Sequence, residues 1–298
     1  MSLIAFLGAI EIGLMYGLVA IGVYLSFRIL DFPDLTVDGS LPLGAAVGAT
    51  LIVAGVPPVV ATLAGGLAGG LAGLVTAWLS VRLGILHLLA SILTMIALHS
   101  VNLRVMGKPN QPLLGVDTVF TPFESLGLSP YWVTPVVLLG IVAAILLAVN
   151  WFLGSELGLA MRATGANARM ARAQGIHTGW LTMLGIALSN GLVGMAGALF
   201  AQIQGGADIT MGVGVIVVGL AAVILGEAIV SPRVIVIALI ACVLGSIVYR
   251  LTVALALNAG FLGLQAQDLK LVTAVLVVVA MVLPGLRRKY AGSKAVAR

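Results

Sequence analysis

Apolar residues along the chain gather in nine runs, at 3–30, 41–55, 57–83, 86–106, 131–153, 180–204, 213–230, 234–257 and 269–284, with short polar stretches between them. One membrane-crossing helix needs roughly 20 apolar residues, so nine of them use about 180 positions and leave room for short loops only. The pattern predicts an all-α polytopic membrane protein with about nine transmembrane helices. They form a single transmembrane domain over 1–284, followed by a basic tail at 285–298.

The second run is too short for this scheme. A helix of 15 residues covers about 22 Å of a hydrocarbon core roughly 30 Å thick. The preceding stretch, 31–40, therefore either sits at the surface with solvated aspartates or supplies the missing depth as broken backbone. Pro33, Gly39 and Pro42 are suited to interrupting a helix. Irregular backbone survives at membrane depth only when it is buried in protein or lines a wet cavity, and transporters use such broken helices at their substrate sites.

Nine spans put the termini on opposite sides, and the bias of Arg and Lys between loops selects the orientation. With the C-terminus inside, the inner set is Arg28, Arg82, Arg162, Arg169, Arg172, Arg233, Arg287, Arg288, Lys289, Lys294 and Arg298. The outer set is Arg104, Lys108, Arg250 and Lys270. The expectation is an N-terminus outside and a C-terminus inside.

Composition sharpens this reading. Of 298 residues, 61% are hydrophobic and 8% charged, against roughly 45–50% and about 25% in soluble domains. A soluble enzyme or a disordered chain is excluded. The net charge of +5 comes from membrane-flanking basic residues and implies no nucleic-acid partner. The single cysteine, Cys242, rules out an intrachain disulfide and a cysteine-based metal site. The first basic residue is Arg28, so the charged start of a cleavable signal peptide is not expected. Glycines at every fourth position (Gly65, Gly69, Gly73; Gly66, Gly70; Gly13, Gly17), with Gly191, Gly194 and Gly197 at every third, mark close helix packing.

The longest basic connection, within 154–179, does not read as a plain loop. Arg162, Arg169 and Arg172 have helix-compatible spacing, Asn167 suits a helix N-cap and Gly175 a helix stop. A short amphipathic helix there rests on lipid headgroups or docks into a protein, and composition does not separate the two.

The residues here resemble a known family. Arg162-Ala-x-Gly165-x-Asn167-x-x-x-Ala171-x-x-x-Gly175-Ile176, followed by a Gly- and Ala-rich span, is similar to the coupling region of bacterial ABC importer permeases. The branch is the one that carries branched-chain amino acids, ribose-type sugars and nucleosides. Asp34-Leu-Thr36-Val-Asp38-Gly-Ser40 is similar to the signature that opens the broken second helix of the sugar members, with Asp38 as an inserted residue. Within the branch, the chain resembles a less-studied group paired with binding proteins for aromatic amino acids and related small molecules.

The resemblance implies a transport subunit without enzymatic activity. It binds no cofactor itself, and ATP and Mg act on separate ATPase subunits. It also implies a second permease copy, a homodimer, and an extracytoplasmic substrate-binding protein. The helix at 167–174 would be the coupling helix, with Arg162, Asn167, Arg169, Arg172 and Gly175 as the ATPase-coupling residues. An amino acid is the expected cargo, and a nucleoside or sugar comes next. No Gly-x-x-x-x-Gly-Lys-[Ser/Thr] loop occurs, and the stretch from Met106 to Pro109 is not one.

Polar residues inside apolar runs are costly and tend to be functional. Asp34, Thr36, Asp38, Ser91, Thr94 and Asn190 are the path candidates. Asn190 alternatively bonds a neighbouring helix, and the His87-Ser91-Thr94-Leu98 stripe alternatively serves packing. Gln202, Gln204 and Asp208 cluster at an outer helix end, and Glu227 is expected to pair with Arg233. No residues at ligand spacing predict a metal. The competing function is an ion-coupled secondary transporter using Glu11 or the aspartates, although no internal repeat of that class is evident.

Overall fold

The computed structural model describes residues 3–124, 130–230 and 234–258, together with 274, 275 and 278. Its helices are α1 (Leu3–Val23), α2 (Val37–Val53), α3 (Pro58–Leu83), α4 (His87–Met106), α5 (Thr121–Glu124), α6 (Pro130–Gly154), α7 (Glu156–Ala166), α8 (Ala168–Ala173), α9 (Thr178–Gln204), α10 (Val215–Ile229) and α11 (Ile235–Asn258). Six are long and apolar enough to cross a membrane, and α2 and α10 are shorter apolar helices. The chain is thus a polytopic all-α membrane protein. Eight of the nine apolar runs coincide with helices. Of the run at 269–284 only 274, 275 and 278 are described, and the tail at 285–298 lies outside the described residues.

Lipid rather than water explains the side-chain pattern of α3. Leu63, Leu67, Leu71, Leu74 and Trp78 stand exposed along one face, whereas the opposite face is a row of glycines against α9. A Cβ at Gly65 would lie 2.7 Å from the carbonyl oxygen of Gly44, and one at Gly69 would lie 2.9 Å from Cα of Gly194. Removing side chains lets α2, α3 and α9 approach backbone to backbone, which provides packing where lipid offers no hydrophobic drive. Gly13 and Gly17 do the same for α1 against α11, meeting Ile247 and Ser246.

Two helices stop short of a full crossing. Helix α1 runs on as six π-helical residues, Tyr24–Ile29. Nearby, the Gly22 carbonyl accepts a bond from the Ser189 hydroxyl at 2.6 Å, which draws it toward α9 where the regular ladder gives way to i→i+5 bonds. Asp31 then takes a positive φ of 51°, and Pro33 supplies no backbone N–H. Helix α2 begins at Val37, four residues before the apolar run. Gly39 and Pro42, expected in the break, lie inside it. Gly39 is tolerated there because a Cβ would press on Leu98 at 2.9 Å.

The second short helix, α10, has 15 residues and spans only about 22 Å, although its apolar run read as an ordinary span. Its start abuts the start of α2, because the Asp38 carboxylate accepts the backbone N–H groups of Gly214 (3.1 Å) and Ile216 (2.8 Å). From that meeting point α2 runs toward Val105 and the beginning of α3. Helix α10 runs the other way, to where Glu227 meets Arg28.

That second end of the bundle is the basic end, carrying Arg28, Arg82, Arg162, Arg169 and Arg172. At the opposite end, strand β1 (Asn110–Pro112) pairs antiparallel with β2 (Gly206–Asp208), placing Gln111 opposite Ala207. This small ribbon was not expected from the sequence.

Candidate functional site: a buried polar seam and a coupling turn

At the break before α2 the chain folds back on itself and then reaches across to α9. The Asp34 carboxylate accepts the backbone N–H of Thr36 through Oδ1 at 2.9 Å, an Asx turn that opens the helix. Its Oδ2 accepts the Asn190 side-chain amide at 2.6 Å. The Asn190 carbonyl in turn accepts the Ser40 hydroxyl at 2.7 Å, and the hydroxyls of Thr36 and Thr76 share a bond of 2.7 Å. All five residues are fully buried. Gly73 leaves room for them, since a Cβ there would lie 2.7 Å from that of Asn190.

Asn190 is the thirteenth residue of the 27-residue α9, so the seam sits at the middle of a membrane-length helix. The irregular backbone before α2, 31–36, therefore lies level with the middle of α9. Asn190 bonds neighbouring elements, and in a medium without water each of these polar groups must find a protein partner.

The three aspartates of this stretch diverge. Asp31 is exposed, Asp34 faces Asn190, and Asp38 caps α10. Ser91 and Thr94 are buried on α4, and their hydroxyls bond back to Leu88 and Ala90 of the same helix. His87 packs against Phe32 at a tilt of 45°, with ring centroids 4.2 Å apart, and meets the Ser80 hydroxyl. Glu227 pairs with Arg28 through two bonds, one of 2.8 Å; its expected partner Arg233 lies outside the described residues. The fold brings the end of α1 to α10, a proximity that sequence distance conceals.

At the basic end, α8 is a six-residue turn fixed at both ends by local chemistry. The Asn167 side-chain oxygen accepts the N–H groups of Arg169 (3.1 Å) and Met170 (3.0 Å), an N-cap. At the other end Gly175 adopts a positive φ of 83°. The Ile176 N–H bonds the Ala171 carbonyl, and the Gly175 N–H bonds that of Arg172, a Schellman stop that favours glycine. Only Ala171 is buried, while Arg169, Arg172 and Met170, the last 63% exposed, face outward.

Helix α7 ties this turn to the break. A Cβ at Gly165 would collide with the Ile29 carbonyl, and Gly185 abuts both Leu30 and Met161. Arg162 lies half-buried on α7.

The sequence pattern described as branched-chain amino acid transport system / permease component matches residues 6–283. The chain belongs to this ABC permease family.

The permease is also similar to curated relatives over most of its length. A protein described as a tyrosine transport system permease protein, from Clostridioides difficile, is 36% identical over 266 residues, 89% of this chain and 86% of the relative. An uncharacterized protein of Rickettsia prowazekii is 33% identical over 279 residues, 92% and 95% of the two chains. Among solved structures, PsaBC from Streptococcus pneumoniae in complex with Fab shares the fold, with a TM-score of 0.51 at 16% identity, covering 93% of the permease and 89% of that chain.

At the end opposite the basic one, the permease holds a polar cavity of about 440 Å³ lined by Glu11, Asp117, Thr118, Thr121, Thr134 and Gln202. Gln202 is also a bracket. Its amide donates to Thr62 (2.9 Å) and its oxygen accepts the Val119 N–H (2.9 Å), so it joins α9, α3 and the loop before α5. Asp208 stands outside the cavity wall, and its carboxyl is held below its ordinary range chiefly by the bonds it accepts from Thr210. Sequence reasoning missed Thr76, Ser189 and Arg28 as partners because their contacts lie far away in the chain. It also counted Arg250 with the outer flanks, whereas the residue lies inside α11. A lone arginine in an apolar run was the available signal.

Proposed function

We propose that this permease is the membrane subunit of an ATP-driven importer of an amino acid, with a nucleoside or sugar as the next cargo class. It spans a bacterial inner membrane about nine times, with its N-terminus outside and its basic end in the cytoplasm. Two copies pair around the path, two ATPase subunits bind ATP and Mg below them, and an extracytoplasmic binding protein delivers substrate from above. The chain itself holds no cofactor and catalyses no reaction.

The observation that carries this reading is the doubly capped turn α8. A segment without a protein partner gains little from being fixed at both ends while presenting two arginines and a methionine outward. As a docking element it gains a rigid, preorganised surface, and arginine suits ion pairs at an interface. Closure of the ATPases moves α8, and α7 passes that motion through Gly165 and Met161 to Ile29 and Leu30, where α1 breaks. The broken segment and α2 then shift against α9 between outward- and inward-facing arrangements. The polar cavity beside Glu11 is the outer vestibule. The Clostridioides difficile relative supports an amino acid as cargo, in particular one with an aromatic side chain.

Purification of the tagged chain from its native membrane in mild detergent, with mass spectrometry of what accompanies it, tests the assembly. The expected result is an ATPase subunit in a roughly one-to-one ratio, as two of each in the complex require. A chain that emerges alone, and still transports in liposomes without ATP, would instead make it an ion-coupled carrier.

A further inference from the structure

Arg250 is a cation inside a membrane helix, and no anion among the described residues pairs with it. It stands in α11, 15 residues beyond Ile235 and eight before Asn258, about 22 Å along the helix from its basic end. Its guanidinium carbon lies 5.0 Å from the centre of the Tyr16 ring, and Tyr16 sits in the middle stretch of the α1 span, packed against Phe200 with ring centroids 6.3 Å apart. Among the described residues its buried Nε finds no hydrogen-bond acceptor. Among the described residues the one ion pair is Arg28–Glu227, at the far end of the bundle. The Asp38 carboxylate is engaged through both oxygens by the backbone of α10.

An arginine placed this way is expensive even by lenient insertion scales. Relief by reaching for the nearer surface runs against helix geometry. The Cα–Cβ bond tilts toward the helix N-terminus, which for α11 is the basic end, so the side chain is directed deeper into the bundle. The Tyr16 face offers a cation–π contact but leaves the planar fork of N–H donors open. That fork matches a carboxylate with two parallel bonds.

We propose that Arg250, braced on Tyr16, is the station that receives the substrate's carboxylate on its way through the permease. This rests on the reading of the chain as an amino acid importer and adds the chemical group it recognises. The Tyr16–Phe200 ring pair beside it provides an apolar surface for an aromatic side chain.

The test uses the assembled complex of permease, ATPase and binding protein in proteoliposomes, with L-tyrosine as the probe, and compares Arg250→Gln and Arg250→Lys with the natural protein. The expected result is an intact complex of unchanged size and unfolding temperature. Tyrosine carried per ATP hydrolysed falls about tenfold to a hundredfold in Arg250→Gln, the range for loss of a charge-assisted bond. Arg250→Lys, which keeps the charge but not the fork, recovers part of it.

Uptake by Arg250→Gln equal to the natural protein overturns the assignment. So does dissociation of that variant into single permeases or a lowered unfolding temperature, which would make Arg250 a packing or subunit contact. If the natural complex moves no amino acid, the importer reading itself fails before any variant is compared.

Discussion

In the seam around Asn190, the hydrogen bonds that cross to a neighbouring helix join residues 40 to 156 positions apart, while the bonds that fix α8 span two to five positions. The seam is buried at the middle of α9, and its partners can be satisfied only by one another. The turn is exposed, and water can replace any bond it loses. Disturbing the seam therefore attacks the fold, whereas disturbing the turn attacks what the fold transmits. The two regions are joined by α7, which sets Gly165 against the carbonyl of Ile29 at the break.

The sharpest way to break this contrast is at the glycines. Gly44→Leu would drive a side chain into the Gly194 carbonyl. Overpacking against backbone is expected to cost about 3 kcal/mol or more, read as loss of folded protein in detergent on a thermal unfolding curve. Asp34→Ala comes next. It leaves one of the two Asn190 amide N–H groups (the other bonds the Ile186 carbonyl) and the Thr36 N–H without an acceptor, and should cost about 2–3 kcal/mol. Asp34→Asn, which keeps one acceptor, should recover a good part of this on the same curve.

In the turn the effects shrink. Asn167→Ala removes an N-cap worth about 1 kcal/mol to a helix. It should raise hydrogen exchange across 168–173 while leaving the unfolding temperature of the bundle unchanged, and a large fall in that temperature would erase the distinction between the regions. The smallest effect belongs to Glu227→Gln. Its pair with Arg28 is geometrically good, but the Arg28 side chain is 58% exposed, so a change of about 0–1 kcal/mol is expected.

The same contrast explains what the sequence made legible. The caps of α8 could be read at Asn167 and Gly175 because a cap is a property of neighbours in the chain. The shortness of α2 followed from counting apolar residues. Gly65, Gly69 and Gly73 announced a close approach without naming its partner, since the complementary Gly194 and Asn190 lie more than a hundred positions away. The start of α10 was hidden for a related reason. Its run is apolar throughout, and only the carboxylate of Asp38, 176 residues earlier, marks where the helix begins. Sequence favours near neighbours, so it offered Glu227 only Arg233, which lies outside the described residues, and gave no sign of Arg28, 199 positions away.

The proposal that α8 couples an ATPase to the broken helix is tested by reversing its charges, with Arg169→Glu and Arg172→Glu together, in the assembled complex. Both side chains are exposed, so stability should move by no more than about 0.5 kcal/mol. Substrate uptake should collapse while ATP hydrolysis continues without driving it. Normal uptake by the double variant in a complete complex would contradict the role assigned to this pair.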